Sequence, residues 1–220
     1  MQAKRSLLSF FPTYVWVFQL EPAEYAPLNR ALMTALTPLM ERIAPESGGR
    51  SRQTDTDLHI LPEFEGLNRI VLEAGKEIVE FLKLRDNPMF VSGCWANFGQ
   101  PNTSHHEHSH PNNFLSAVYY LHTPQGGNSI SFADPRNQAH ILAPPVKQPH
   151  SNNASHVTVE VAEGRLVVFP AWLRHYVDVN NSKEIRVSVA INLMFRDYGA
   201  EMSKPRFAGN LTEERRGKLG

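Results

Sequence analysis

Between positions 105 and 110 the chain carries four histidines and a glutamate, His105-His106-Glu107-His108-Ser109-His110, with Pro111 next. Neutral imidazole ligates first-row transition metals, and its charge changes near neutral pH, so metal binding and proton transfer are the chemistries to weigh. In an extended backbone, residues two apart project to the same face, so His108 and His110 can grip one ion together. A third imidazole, His175, stands about 65 residues later, after the apolar run Leu166 to Pro170 and the short link Ala171 to Arg174. If strands bring the two segments together, three nitrogens occupy one face of a metal and leave the other positions open. A rival register uses His105 and Glu107 and gives the commoner set of two histidines and one carboxylate. A solvated histidine-rich loop that holds no specific metal is the third reading.

A second constellation lies downstream. Glu184 to Asn192 alternates strictly, so Arg186, Ser188 and Asn192 share one face of a strand while Val187, Val189 and Ile191 share the other. An arginine turned into a protein interior needs an anion. A guanidinium fork makes paired, charge-assisted bonds to a carboxylate, and a hydroxyl two residues on can add another. The plain alternative is a surface arginine on a half-exposed strand. Tyr119 and Tyr120 are adjacent on a strand, so one of them faces inward, for packing or for a ligand carboxylate. Asn97 and Asn192 interrupt apolar strands and read as interior hydrogen-bonding groups or turn caps. Asp134 and Arg136 can pair with each other, and Trp172 reads as a core or rim aromatic.

These groups require a β framework. Thr13 to Leu20 is aromatic and β-branched, as a strand would be, and the spacing of Leu28, Leu32, Leu36 and Leu39 predicts a helix from Ala23 to about Ile43, kinked or divided at Pro38. Pro45 to Asp57 reads as a loop. A second amphipathic helix is expected from Leu67 to Leu84, with Ile70, Leu72, Ile78, Val79 and Leu82 supplying most of its apolar face. After Pro88, strands are expected at Met89–Phe98, Phe114–His122, Ser129–Ala133, Val157–Ala162, Arg165–Phe169, Tyr176–Val179 and Glu184–Phe195. Glu163-Gly164 and Asn180 to Lys183 look like hairpin turns, and Pro135 to His156 is long enough to be a lid or substrate loop. Many short strands after early helices predict a mainly β sandwich or barrel braced on one outer face by helices. The expected organisation is one domain over 1–220: a helical support region with the first strand (1–88), a β core (89–198) and a tail (199–220).

The order H-x-H, distal His, then Arg-x-Ser about ten residues on resembles the iron(II)/2-oxoglutarate-dependent oxygenases. The chain is similar in particular to a short group of oxygenases through His108-Ser-His110-Pro111, Leu115-Ser-Ala-Val-Tyr-Tyr-Leu121, Asp134-Pro-Arg136 and Phe169-Pro-Ala-Trp-Leu-Arg-His175. The opening Phe10-Phe-Pro-Thr and Asn29 belong to the same likeness. The resemblance implies a double-stranded β-helix (jelly-roll, cupin-like) barrel, Fe(II) held by His108, His110 and His175, and 2-oxoglutarate held by Arg186 and Ser188, with Tyr119, Tyr120, Asn97 and Asn192 nearby. It implies a dioxygenase that uses O2, a hydroxylase by default, with release of succinate and CO2. The departure from the superfamily is His110, where a carboxylate is usual. Neutral imidazoles leave the ferrous charge uncompensated until the dianionic cosubstrate arrives, so metal and cosubstrate should bind with strong coupling. The rival functions are a three-histidine cupin-type dioxygenase that needs no cosubstrate and a non-catalytic barrel that binds a metal or a small acid.

Composition narrows the partners. The 22 Lys and Arg balance the 22 Asp and Glu, which argues against a basic nucleic-acid footprint or a polybasic membrane anchor and leaves a small-molecule or peptide substrate. No apolar run reaches a membrane-spanning length, and Met1 to Leu20 lacks a secretory pattern, so the expected location is the cytoplasm. The single cysteine, Cys94, reads as a reduced core residue. The substrate is not legible, nor is the oligomeric state, a homodimer included.

Overall fold

The computed structural model describes residues 6–43, 49, 51–136, 138 and 141–198. Strand β1 (Trp16–Gln19) leads into helix α1 (Pro22–Arg42). Pro22 suits the first turn, where its fixed φ is already helical and its missing N–H is not needed. Leu32 and Leu36, one turn apart, are fully buried and set the inner face. Pro38 does not divide this segment and lies within one continuous helix. Leu39 and Met40 beyond it pack against the core, and their burial holds the last turn in place despite the hydrogen bond the proline removes.

The segment read as a loop contributes β2 (Arg52–Gln53), a two-residue strand on the sheet edge; residues 44–48 and 50 lie outside the described residues. Helix α2 (Glu65–Phe81) follows two single 3-10 turns. Its buried face is Leu67, Val71, Ala74, Gly75, Ile78 and Val79, rotated from the expected one, because Ile70, Leu72 and Leu82 are only partly buried. Gly75 explains the rotation. A β-carbon there would stand 2.6 Å from Met89 Cε and 3.0 Å from Leu193 Cδ1, so the bare backbone of α2 sits against the sheet.

Eight strands then pass from one sheet to the other at every step except β6 to β7, which are neighbours in one sheet: β3 (Met89–Gly99), β4 (His105–His108), β5 (Leu115–His122), β6 (Ser129–Ala133), β7 (His156–Glu160), β8 (Arg165–Pro170), β9 (His175–Val177) and β10 (Arg186–Phe195). The larger sheet has the order β1-β8-β5-β10-β3-β2 and the smaller β4-β9-β6-β7, and every neighbouring pair is antiparallel. This is a double-stranded β-helix. Glu163-Gly164 and Asn180 to Lys183 are therefore not hairpin turns: they join β7 to β8 and β9 to β10, strands of different sheets. Gly164, at φ +74°, makes the first crossing against the Tyr25 ring, which any β-carbon at that position would overlap.

Two cores result. The larger lies between the helices and the outer face of the large sheet, where Leu32, Leu36, Leu67, Val71 and Ile78 meet Cys94, Ala117, Tyr119, Val187, Val189 and Ile191. The smaller fills one end of the space between the sheets with Ile130, Phe132, Val167, Phe169 and Leu173. Both faces of β10 are thus buried, the valine face by the helices and the Arg186 face by the second sheet. Among the described residues no helix is long and apolar enough to cross a membrane. The tail 199–220 and positions 137, 139 and 140 of the long loop are outside the described residues.

Candidate metal centre and ligand pocket

Strands β4 and β9 pair antiparallel, with His108 directly opposite His175. His110 lies just past the end of β4, fixed where its backbone N–H donates to the Ala171 carbonyl at 2.8 Å. The result is a cluster in which one nitrogen from each of His108, His110 and His175 lies within 4.8 Å of the other two. The Nε2 atoms of His110 and His175 are 3.4 Å apart. Phe169 and Trp95 flank the group, with ring centroids 4.6 Å from His175 and 5.5 Å from His110 respectively.

Backbone carbonyls select the tautomers. His108 Nδ1 lies 2.8 Å from the His106 carbonyl and His175 Nδ1 lies 2.9 Å from the Leu173 carbonyl. A carbonyl only accepts, so each Nδ1 carries the proton and each Nε2 presents a lone pair. Burial holds the His175 imidazole down to about 3, opposed by its bond to Leu173 and aided by the neighbouring His108 and His110. Burial, then His108, holds His110 down to about 4. Both are neutral at physiological pH, the state a metal requires.

The rival carboxylate points elsewhere. Glu107 Oε1 accepts from Arg174 Nε at 2.7 Å, and its other oxygen lies 4.0 Å from His156 Nε2, so this side chain is engaged away from the triad. His105 does reach the pocket, although not as a member of the three-nitrogen cluster.

The triad forms one wall of a cavity between the sheets that Arg186, Ser188, Asn192, Asn97 and Tyr120 also line. Arg186 is 3 % exposed, and its Nε has no hydrogen-bond partner. Burial lowers its pKa from the ordinary arginine value, a direction that marks the cost of an uncompensated charge. The Tyr120 hydroxyl is likewise buried without a partner, and burial pushes its pKa well above the ordinary tyrosine value. Ser188 sits opposite Tyr120 on one side and Asn97 on the other. Asn97 accepts from Gln53 Nε2 at 2.6 Å, and Asn192 accepts from Ser116 Oγ at 2.8 Å, so both amides are held as part of the lining.

Tyr119 requires a correction. It projects to the opposite face of β5, where its hydroxyl donates to Asn29 Oδ1 at 2.8 Å while Asn29 Nδ2 donates to the Leu121 carbonyl at 3.0 Å. That network ties α1 to the sheet and takes Tyr119 out of the pocket. Trp172 is 57 % exposed and is not a core residue. Asp134 and Arg136 pair with each other through two contacts of 2.9 and 2.7 Å at the base of the long loop. Trp95 and Ser116 also line the cavity and were not picked out from sequence, and His105, expected there only as a rival metal ligand, lines it as well. For Trp95 and Ser116 the available signal was parity, since they share strand faces with Asn97 and Tyr120.

A transition metal and a dicarboxylate both fit what is present. Three imidazole nitrogens converge, two of them with the lone pair freed by a carbonyl bond at Nδ1, and a guanidinium unpaired at Nε and an unpaired hydroxyl face the same space. Residues 93–192 match the model of the family described as "Putative 2OG-Fe(II) oxygenase". No curated protein matches the sequence. Among solved structures the chain is similar to the non-heme alpha ketoglutarate dependent carbocyclase SnoK from nogalamycin biosynthesis, with TM-score 0.59 and 16 % identity over 88 % of this chain and 87 % of that one. It is similar also to a Pseudomonas putida prolyl-4-hydroxylase, with TM-score 0.58 and 16 % identity over 84 % and 94 %. HygX from Streptomyces hygroscopicus, solved with nickel and 2-oxoglutarate bound, gives TM-score 0.53 and 11 % identity over 84 % of each chain. At these identities the likeness to solved structures establishes the fold. The family match covers the stretch that carries His108, His110, His175 and Arg186.

Proposed function

We propose that the protein is an Fe(II)- and 2-oxoglutarate-dependent dioxygenase that hydroxylates an unactivated C–H bond of a small molecule or peptide. The observation that carries this reading is the buried guanidinium of Arg186, without a partner at Nε, in the cavity whose other wall is three imidazoles. Burying an unpaired cation is costly, and a site that keeps one is built for an anion. His108, His110 and His175 would hold the iron. Arg186, Ser188 and Tyr120 would hold the far carboxylate of 2-oxoglutarate, with Asn97 and Asn192 as polar lining.

When bound, iron and 2-oxoglutarate supply oxygen activation coupled to decarboxylation, one oxygen atom of O2 ending in succinate and the other in the hydroxylated product. The chain's own work is to position and to exclude water. The carbonyls of His106 and Leu173 keep two imidazoles in the ligating tautomer. Arg186 fixes orientation through paired bonds to a carboxylate. Ile130, Val118 and Phe169 give the cavity apolar walls that keep charges in it poorly screened. Small-molecule substrates are supported by the fold's likeness to HygX, which was solved with hygromycin B bound.

The test is succinate release. Protein loaded with Fe(II) should convert 2-oxoglutarate to succinate under air, slowly without substrate and faster with it. Oxygen uptake that ignores omission of 2-oxoglutarate would point to a cosubstrate-free three-histidine dioxygenase. Tight ligand binding with no succinate at all would point to a non-catalytic barrel.

A further inference from the structure

A fourth imidazole, His105, enters the cavity by an irregularity in the sheet. In a regular strand, residues three apart face opposite ways, so His105 should turn away from the face that His108 presents. Instead the pairing of β4 with β9 slips between them: His105 is opposite Val177 and His108 opposite His175, three steps on β4 against two on β9. The extra residue is a β-bulge, a device that re-aims side chains. It places the His105 ring on the His108 ring, with centroids 4.6 Å apart and planes 23° from parallel, in the cavity that also holds Arg186, Asn97 and Ser188.

His105 is free in a way the triad is not. No described residue hydrogen-bonds its ring, whereas His108 and His175 are each tied to a carbonyl and His110 is grouped with His175. It is also outside the set of nitrogens close enough to share a metal. Glu107, which could have made a carboxylate-type metal site together with His105, is held by Arg174. A neutral imidazole always has one N–H to donate. Here that donor lies beside the metal-binding wall, in the cavity that also holds the Arg186 cation.

We propose that His105 is a cosubstrate-positioning residue that donates a hydrogen bond to a carboxylate oxygen of 2-oxoglutarate, setting how the dicarboxylate lies between the triad and Arg186. This rests on the 2-oxoglutarate reading of the same pocket. A charge-assisted bond of this kind separates tight from weak cosubstrate binding without touching the metal. Glutamine at the position keeps a donor, and alanine removes it.

The experiment is calorimetric titration on full-length protein, with Ni(II) as a metal that does not turn over: first Ni(II) alone, then 2-oxoglutarate into the Ni(II)-loaded protein. His105→Ala should bind Ni(II) as the wild type does and 2-oxoglutarate about tenfold more weakly or worse. His105→Gln should restore most of the loss. Unchanged 2-oxoglutarate affinity in His105→Ala would overturn the proposal, as would a matching loss of Ni(II), which would make His105 a metal ligand. If the wild type binds Ni(II) but not 2-oxoglutarate, the cosubstrate reading itself fails, and His105 falls with it for a different reason.

Discussion

His108 and His175 are cross-strand partners that solve the same problem in the same way: each anchors Nδ1 on the carbonyl two residues before it, at 2.8 and 2.9 Å, and turns Nε2 into the cavity. The tautomer is set by backbone, which no side-chain substitution can remove. A ligand pair fixed before the metal arrives loses little freedom on binding.

The first prediction concerns protons. The His175 and His110 imidazoles lie at about 3 and about 4, below the ordinary 6.5, so the folded protein binds fewer protons than the unfolded chain over that interval. Their contribution to stability is present above pH 6.5 and is lost as the pH falls toward 4 and then 3. Metal-free protein should weaken on acidification through this window. An NMR titration of the ring protons should show His175 unprotonated at pH 5; a midpoint near 6.5 would refute the assignment.

Arg186 should trade stability for function. With no acceptor at Nε, its buried charge penalises the ligand-free fold, so Arg186→Met should raise the stability of that form by roughly 1–4 kcal/mol, as measured in urea. The same variant should lose cosubstrate binding by at least about 100-fold, since paired charge-assisted bonds go with it. A destabilised variant would mean that Arg186 has a structural partner.

The adjacent tyrosines should behave oppositely. Tyr119→Phe leaves the buried Asn29 Oδ1 without its donor and should cost roughly 1–3 kcal/mol of stability with no change in 2-oxoglutarate affinity. Tyr120→Phe removes a hydroxyl that has no partner, so it should leave stability nearly unchanged and weaken the cosubstrate. Paired denaturation and calorimetry on the two variants separate these outcomes.

Cys94 should be inert. Burial pushes its thiol from the ordinary 9.0 up to about 12, so native protein at pH 8 should resist iodoacetamide and react only after denaturation. The unfolded chain ionises first, so this residue also makes stability fall as the pH rises from 9 toward 12. Rapid labelling of folded protein would place the thiol at the surface.

Period-two patterning was the most legible signal. It separated Arg186 and Ser188 from Val187 and Val189 because a guanidinium and an aliphatic side chain demand different surroundings. It did not decide between Tyr119 and Tyr120, because helices bury one face of β5 and the second sheet the other, and the residue pattern looks apolar on both. His105 stood in the sequence only as a candidate metal ligand beside Glu107; its place in the cavity outside the triad depends on a bulge, a pairing irregularity that leaves no mark on the order of residues. The turn at Glu163-Gly164 reads locally as a hairpin because the same glycine conformation serves a crossing between sheets, and only the partners of β7 and β8 distinguish the two. Pro38 within α1 and the two residues of β2 were decided by distant packing and pairing, which local composition does not carry.

The central claim is one iron and one 2-oxoglutarate held in a single cavity by His108, His110, His175 and Arg186. Anaerobic titration of Fe(II) and 2-oxoglutarate, followed by visible absorption, tests it most directly. A weak charge-transfer band should appear only when both are present, vanish in His175→Ala through loss of iron, and require far more 2-oxoglutarate in Arg186→Ala. Iron binding that persists in His175→Ala, or a band whose 2-oxoglutarate dependence Arg186→Ala leaves unchanged, would contradict the account.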